Sequence, residues 1–494
     1  MALSLKVKPI QIHEITRISP SFNSPKSANN GISFPLPFFD IFWFKFPPVD
    51  VVLFYQLTES AASPCHFYWE IVPKLKQSLS LALLHYLPLA GKLKWSSDSP
   101  KPIIFYSTPN DGVSLTVAES NAHNFHTLTG SEIYRANELH CLVPELMISE
   151  EIAEMISFQI TLFPDQGFSI GFRVHHGVTD GKALFMFVKS WGYLCKEILL
   201  AGKAEVPSNL PPNLTPFLDR SVIKDPTRLD LIYLKRWLEI EGFGHENQGS
   251  KRSLKTLQTI VPISDDLVRA TFEFRHEDIN KLKDKANLSS SAHGKPLHLS
   301  TFVLTLAYTI TCLVKARGER DDRVVFIVFS VDCRSRLNPP LPTTYFGNCI
   351  MGSESYTKAT DFIGQNGFAF AVNLVSNMVN KFNNTRVLEE AENQLKNPST
   401  LKPDQEIQII SVAGSPRIGT YGSDFGLGEL KKVEVVSIDR TGAISVAESR
   451  NGGGGVEIGL ALKKAEMRNF IASLIFDGLC NTNLNFTRYH SCKL

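Results

Sequence analysis

Twenty residues in the first half of the chain leave the backbone little choice. SFQITLFP (157–164) and FSIGFRVHH (168–176) alternate apolar and polar side chains, and DQG (165–167) supplies a turn between them. A period of two around a short polar turn predicts an antiparallel hairpin with one face buried. A slip of one residue would turn that whole face to water, so the register is strongly specified. Phe168, Ile170, Phe172 and Val174 share a face, and His176 is the next residue on it, while Arg173 and His175 fall on the other side. A histidine that continues an apolar stripe and then meets a glycine turn is held in a partly desolvated place. There a neutral imidazole accepts a proton near pH 7. Asp180 follows four residues later, near enough in a tight turn to fold back and brace the loop. The competing reading is a core histidine satisfied by backbone groups. Zinc is disfavoured, because His-x-x-x-Asp offers two ligands and no third stands at motif spacing.

The rest of the chain narrows the setting. Its 494 residues exceed one comfortable core and predict two domains. Lys and Arg number 51 against 49 Asp and Glu, a net charge of +2, which offers no basic field for a nucleic-acid backbone. No apolar stretch approaches the length of a membrane span. The eight cysteines stand alone, with no C-x-x-C pair, as expected of free thiols in a reducing compartment. The N-terminal MALSLKVKPIQIHEITRISP lacks a continuous signal-peptide core, and the expected location is the cytoplasm.

Strand and helix patterns mix in both halves, which predicts an α/β or α+β class. VDVVLFYQL (49–57) and IIFY within 100–112 read as strands, and the stretch 71–86 as a helix stopped by Pro88 and Gly91. Later come an amphipathic EDINKLKDKANL, a long apolar helix from about Ser300 to Lys315, a buried strand over 324–333, and a strand over 431–439. AISVAES and VEIGLAL flank the glycine run Gly452–Gly455 as a hairpin. Clustered prolines mark 206–226 as a crossover linker between an N-terminal domain, 1–205, and a C-terminal domain, 227–494. The polar residues around 244–262 read as a surface insertion.

Three other motif matches are set aside. Gly167-Phe168-Ser169-Ile170-Gly171 fits the G-x-S-x-G nucleophile elbow, but that motif needs its serine on a sharp strand-to-helix turn, and Ser169 lies inside an alternating strand. Asp424-Phe425-Gly426 has no kinase catalytic loop beside it. The run Gly452–Gly455 has no following Gly-Lys-Ser/Thr to cradle phosphate.

Several segments in order resemble the plant BAHD acyl-CoA-dependent acyltransferases. HHGVTDGKALFMFVKSW is similar to the family's H-x-x-x-D motif, with His176 and Asp180 in the named positions, and DFGLG (424–428) stands where the family has D-F-G-W-G. SLSLALLHYLPLAGKL, VDCRSRLNPPLPTTYFGNC and SIDRTGAISVAESR are also similar to family segments. YFGNC (345–349) resembles the mark of the subgroup that acylates anthocyanin and other phenolic glucosides. The resemblance implies two similar-sized domains of the chloramphenicol-acetyltransferase type, the first carrying H-x-x-x-D and the second YFGNC and DFGLG. Acyl-CoA as co-substrate and a small-molecule phenolic glycoside would reach His176 from opposite ends of a channel between them. It further implies a malonyl or hydroxycinnamoyl donor, a monomer, no metal or resident cofactor, and neither nucleic acid nor membrane as partner. His176 would be the general base, with Asp180 turned away and paired with Arg334, and Gly181 and Gly426 shaping the two loops. An acid or base part for Asp424 is also implied, although its place before Phe-Gly fits a structural turn. Leu427 replaces the family's tryptophan, a departure that bears on packing more than on chemistry.

Lys182 is a chemical candidate for holding a malonyl carboxylate, against a plainer reading as a solvated loop lysine. The rival functions are a serine esterase using Ser169 and a non-catalytic ligand-binding relative. The terminal Ser491-Cys492-Lys493-Leu494 is similar to a peroxisomal address.

Overall fold

The hairpin forms where the alternation places it. In the computed structural model, strands Ile156–Phe163 and Gly167–Val174 pair antiparallel, with Phe168 opposite Leu162 and Phe172 opposite Phe158. Asp165 turns the corner at a left-handed φ of 63°. The second strand ends at Val174, so both histidines stand in the loop beyond it. The structure describes residues 10–21, 31–107, 111–201, 209–242, 252–257, 264–290, 298–318, 323–384, 386–396 and 406–478. The carboxyl-terminal Cys-Lys-Leu lies outside these residues, as does most of 244–262.

Two sheet-containing domains of mixed α/β class make up the fold. The first sheet has six strands in the order Gln11–Ile18, Val113–Glu119, Ile156–Phe163, Gly167–Val174, Val49–Gln56 and Glu429–Val435. The second has seven, in the order Ile350–Lys358, Val324–Asp332, Ile407–Gly414, Ile444–Glu448, Val456–Lys463, Leu267–Phe274 and Tyr134–Arg135. A small four-stranded sheet, built from Ile32–Pro35, Ile103–Tyr106, Lys92–Lys94 and Ile152–Glu154, lies in the first half. Val49–Gln56 is paired along both edges and its interior is buried on both faces, and the burial is why it reads VVLFY without polar alternation.

Helices cover the sheets by burying apolar stripes. Gly181–Ala201 packs on Val72–His85, where the Trp191 indole N–H donates to Leu75 O (3.2 Å) and Ser78 Oγ (3.0 Å). Thr301–Ala316, almost wholly buried, packs between Gly367–Asn384 and Lys464–Phe476, and the Ser300 side chain caps its first turn.

Each sheet takes one strand from the other half of the chain. Glu429–Val435 closes the first sheet against Val49–Gln56, and Tyr134–Arg135 extends the second against Leu267–Phe274. A buried charge network joins the exchanged strands. Arg269 pairs with Glu434 (2.6 Å) and Asp439, while Glu434 also takes Lys432 (2.8 Å) and the Tyr134 hydroxyl (2.8 Å). Two expectations need correcting. The strand expected over 431–439 ends at Val435 and gives way to a short helix, Ile438–Thr441, which turns the Asp439 carboxylate into the network. Residues 252–257 are no surface appendage: Leu254 is fully buried, and the buried Lys45 ammonium donates to Ser253 O and Lys255 O.

No helix among the described residues is long and apolar enough to cross a membrane.

Candidate active site

The loop 175–180 runs between the end of a strand and the start of a helix, and each residue has a different task. Asp180 is the helix N-cap: its Oδ1 accepts the Ala183 N–H at 3.0 Å. The same carboxylate, buried with 1% of its side chain exposed, meets Arg334 at 2.9 Å and accepts the Cys349 N–H at 3.0 Å. Arg334 is equally enclosed, and it also bonds Asp332 (3.0 Å), Tyr345 O (3.2 Å) and Gly347 O (3.1 Å). One ion pair thus fastens the histidine loop to the DCR turn and to YFGNC. Gly177 lets the loop lie against Phe44, since a Cβ there would sit 3.0 Å from the Phe44 Cα.

The two histidines differ sharply. His175 is completely buried; its Nδ1 accepts the Gly177 N–H at 3.1 Å, and burial pushes its pKa down to about 3. His176 is partly exposed. Its Nδ1 is closed off from solvent, with no hydrogen-bond partner among the described residues. Burial holds the His176 imidazole below its ordinary range, partly offset by its own carbonyl, the Asp180 carboxylate and Asn348. The ring is therefore neutral at pH 7 and able to accept a proton.

Groups that went unassigned in the sequence complete the site. Asn348 of YFGNC donates from Nδ2 to His176 O (2.8 Å) and to Asp40 Oδ1 (2.9 Å). Asp40 pairs with Arg220 at 2.6 Å, and Arg220 reaches on to Val178 O at 2.9 Å, so a second buried ion pair grips the histidine loop. Burial raises Asp40 to about 6, against the lowering pull of Arg220 and Asn348. The Trp43 ring stacks on His176, Phe46 and Phe42 pack on Trp43, and Trp237 meets Phe46 edge-on at 5.6 Å. A usable signal was present: Asp40 and Lys45 are the charges in LPFFDIFWFKF, and a charge inside so apolar a run requires a buried partner.

Other expected residues lie elsewhere. Asp424 is not brought to His176. Its half-exposed carboxylate pairs with Lys196 at 2.7 Å. Lys196 is fifteen residues along the helix from Gly181, roughly 22 Å from the histidine loop at helical rise. Asp424 Oδ1 accepts the Gly426 N–H at 2.8 Å, and Gly426 has a left-handed φ of 70°, so DFGLG is a turn. Phe425 anchors it edge-on against Trp191 (5.0 Å) and Tyr55 (5.5 Å). Gly181 is not demanded by crowding, since an added Cβ would meet Ile418 at an ordinary 3.4 Å. Lys182 is engaged by Asp332 at 2.8 Å. Ser169 sits fully buried inside its strand, between Thr161 and Phe54, and forms no elbow.

Leu427 is half-buried at the rim of the core. Leu427→Trp is therefore expected to shift stability by less than about 1 kcal/mol, short of the overpacking cost of a closed core. Its melting temperature should stay near the parent's and its pH–rate curve should not move. A displaced pH optimum would place this turn at the reacting atoms.

The histidine loop of the first half thus meets the DCR turn and YFGNC of the second, where Asp180 and Arg334 pair. The Transferase family model matches residues 8–474, and the chain belongs to that family, as an acyl-CoA-dependent acyltransferase. Among its relatives are two from Arabidopsis thaliana. Phenolic glucoside malonyltransferase 1 is 45% identical, with 96% of this chain and 98% of the relative covered. Malonyl-CoA:anthocyanidin 5-O-glucoside-6''-O-malonyltransferase is 43% identical, with 95% and 98% covered. The crystal structure of vinorine synthase shares the fold at a TM-score of 0.65 and 20% identity, covering 95% of this chain and 98% of that one.

Proposed function

We propose that the protein transfers a malonyl group from malonyl-CoA to a sugar hydroxyl of a phenolic glucoside, with His176 as general base. The observation that carries this reading is the partly exposed His176 ring, on a loop fixed by two buried ion pairs. A thioester is already activated, so no covalent protein nucleophile is needed. Nε2 takes the hydroxyl proton as the oxygen attacks the thioester carbonyl. The tetrahedral intermediate then expels the sulfur, and the proton returns from the imidazole to give free coenzyme A and the ester.

Aromatic side chains of Phe42, Trp43, Phe46 and Trp237 beside the imidazole suit an aromatic aglycone. Malonyl as donor is supported by the two relatives, both malonyltransferases by name. Lys182 would have to serve the malonyl carboxylate in competition with Asp332. Asp180, Arg334 and the DFGLG turn have structural parts in this reading. A cytosolic location suits the free thiols of the described cysteines.

The test is thiol release from a panel of malonyl-, acetyl- and coumaroyl-CoA against phenolic glucosides and their aglycones. Malonyl-CoA with a glucoside should turn over fastest, and aglycones should fail. Preference for coumaroyl-CoA, or transfer to aglycones, would overturn the specificity. Because burial lowers the His176 pKa, kcat/KM should fall only as pH drops below about 6.5. An acid limb centred above that value would point to a different base.

A further inference from the structure

The Trp43 indole lies flat on the His176 imidazole, with ring centroids 4.3 Å apart and planes 9° from parallel. Packing alone holds it there. Phe46 lies 4.6 Å away and Phe42 5.0 Å, and Trp237, which buttresses Phe46, is tied by its own N–H to Ile41 O at 3.1 Å. The Trp43 N–H is buried with no hydrogen-bond partner among the described residues, so no polar contact there explains the ring's orientation.

The charges near His176 are paired with other groups, although Asp180 and Asn348 still favour its charged form. Asp180 faces Arg334, Asp40 faces Arg220, and Asp332 takes both Lys182 and Arg334. His175 is neutral in its buried place, and Lys45 is turned to the carbonyls of Ser253 and Lys255. Among the described residues no carboxylate forms an ion pair with His176. In a Ser-His-Asp triad a carboxylate stabilises the imidazolium while the histidine holds the proton. Here an indole face lies stacked on the ring, and its quadrupole attracts a cation most strongly where water is excluded.

We propose that Trp43 is a positioning residue for acyl transfer, its indole face stabilising the imidazolium that His176 becomes while it holds the acceptor's proton. This rests on His176 being the base. Loss of the indole face removes stabilisation of the charged form, so the histidine becomes a weaker base and its titration moves to lower pH. A lid that merely keeps water out would act in the opposite direction: its loss would hydrate the ring and move the titration up.

The experiment compares kcat/KM against pH for the parent, Trp43→Phe and Trp43→Leu, with His176→Ala alongside, each checked for native circular dichroism and for coenzyme A binding. With His176→Ala inactive, the acid limb of Trp43→Leu should fall by about half a unit to one and a half units. Its kcat should drop several-fold while the KM for acyl-CoA stays within twofold. Trp43→Phe, which keeps a weaker π face and folds even where leucine fails, should show a smaller shift of the same sign. An unmoved or raised acid limb with His176→Ala inactive overturns the part assigned to Trp43 and leaves the base in place. An active His176→Ala overturns both.

Discussion

His176→Ala should lower turnover by a factor of about 10²–10⁴, the range that a positioned acid–base group supplies. Coenzyme A binding should remain measurable, because the loop is held through Asp180, Asn348 and Arg220 and not through the imidazole. His175→Ala should behave differently. It removes a fully buried ring and the acceptor for the Gly177 N–H, so its main effect is a lower melting temperature, by an amount equivalent to about 1–3 kcal/mol. Some loss of rate follows from loosening the same loop. The pair of variants measured side by side separates chemistry from support. Equal rate losses with equal melting temperatures would show that the base has been assigned to the wrong ring.

The largest stability effect is expected at the Asp180–Arg334 pair. Both side chains are almost wholly enclosed, and removing one partner of a buried pair typically costs about 3–5 kcal/mol. The two truncations should not be equal. Asp180→Ala leaves Arg334 with Asp332 and two carbonyls, but deletes the helix cap. Arg334→Ala strands the Asp180 carboxylate with only N–H donors and orphans the carbonyls of Tyr345 and Gly347, so it should be the more damaging. The double variant should lose less than the sum of the two, by more than the ~0.5 kcal/mol expected of independent sites. Thermal or urea unfolding of the three variants decides this, and strict additivity would mean the pair is not energetically coupled.

Much of the local structure was legible because it depends on neighbours in sequence. The hairpin before His176 followed from alternation, and the helix after it from a glycine turn and an apolar run. The Asp180–Arg334 contact, by contrast, was available only through family resemblance, since 154 residues separate the two. Asn348 and Arg220 escaped for the same reason: each is an ordinary polar residue until the fold brings distant segments together, whereas the isolated charge of Asp40 signalled a buried partner without saying which. The strand itself ends sooner than alternation predicts: it stops at Val174, with His175 fully buried and His176 partly exposed in the loop beyond. The strand expected through 439 failed because the buried Arg269 needs the Asp439 carboxylate, a tertiary demand that β-type residues cannot signal.

The strand exchange has a consequence for how the protein is made. While the chain emerges from the ribosome, Val49–Gln56 has no partner on one side until Glu429–Val435 arrives, roughly 380 residues later. At about 5–20 residues per second that interval lasts on the order of twenty to eighty seconds. During it the nascent chain carries an apolar strand with one free edge, the kind of template on which other chains assemble. A fragment released before Val435 would carry that edge permanently. Truncated translation products should therefore depend on chaperones and precipitate where the full-length protein does not.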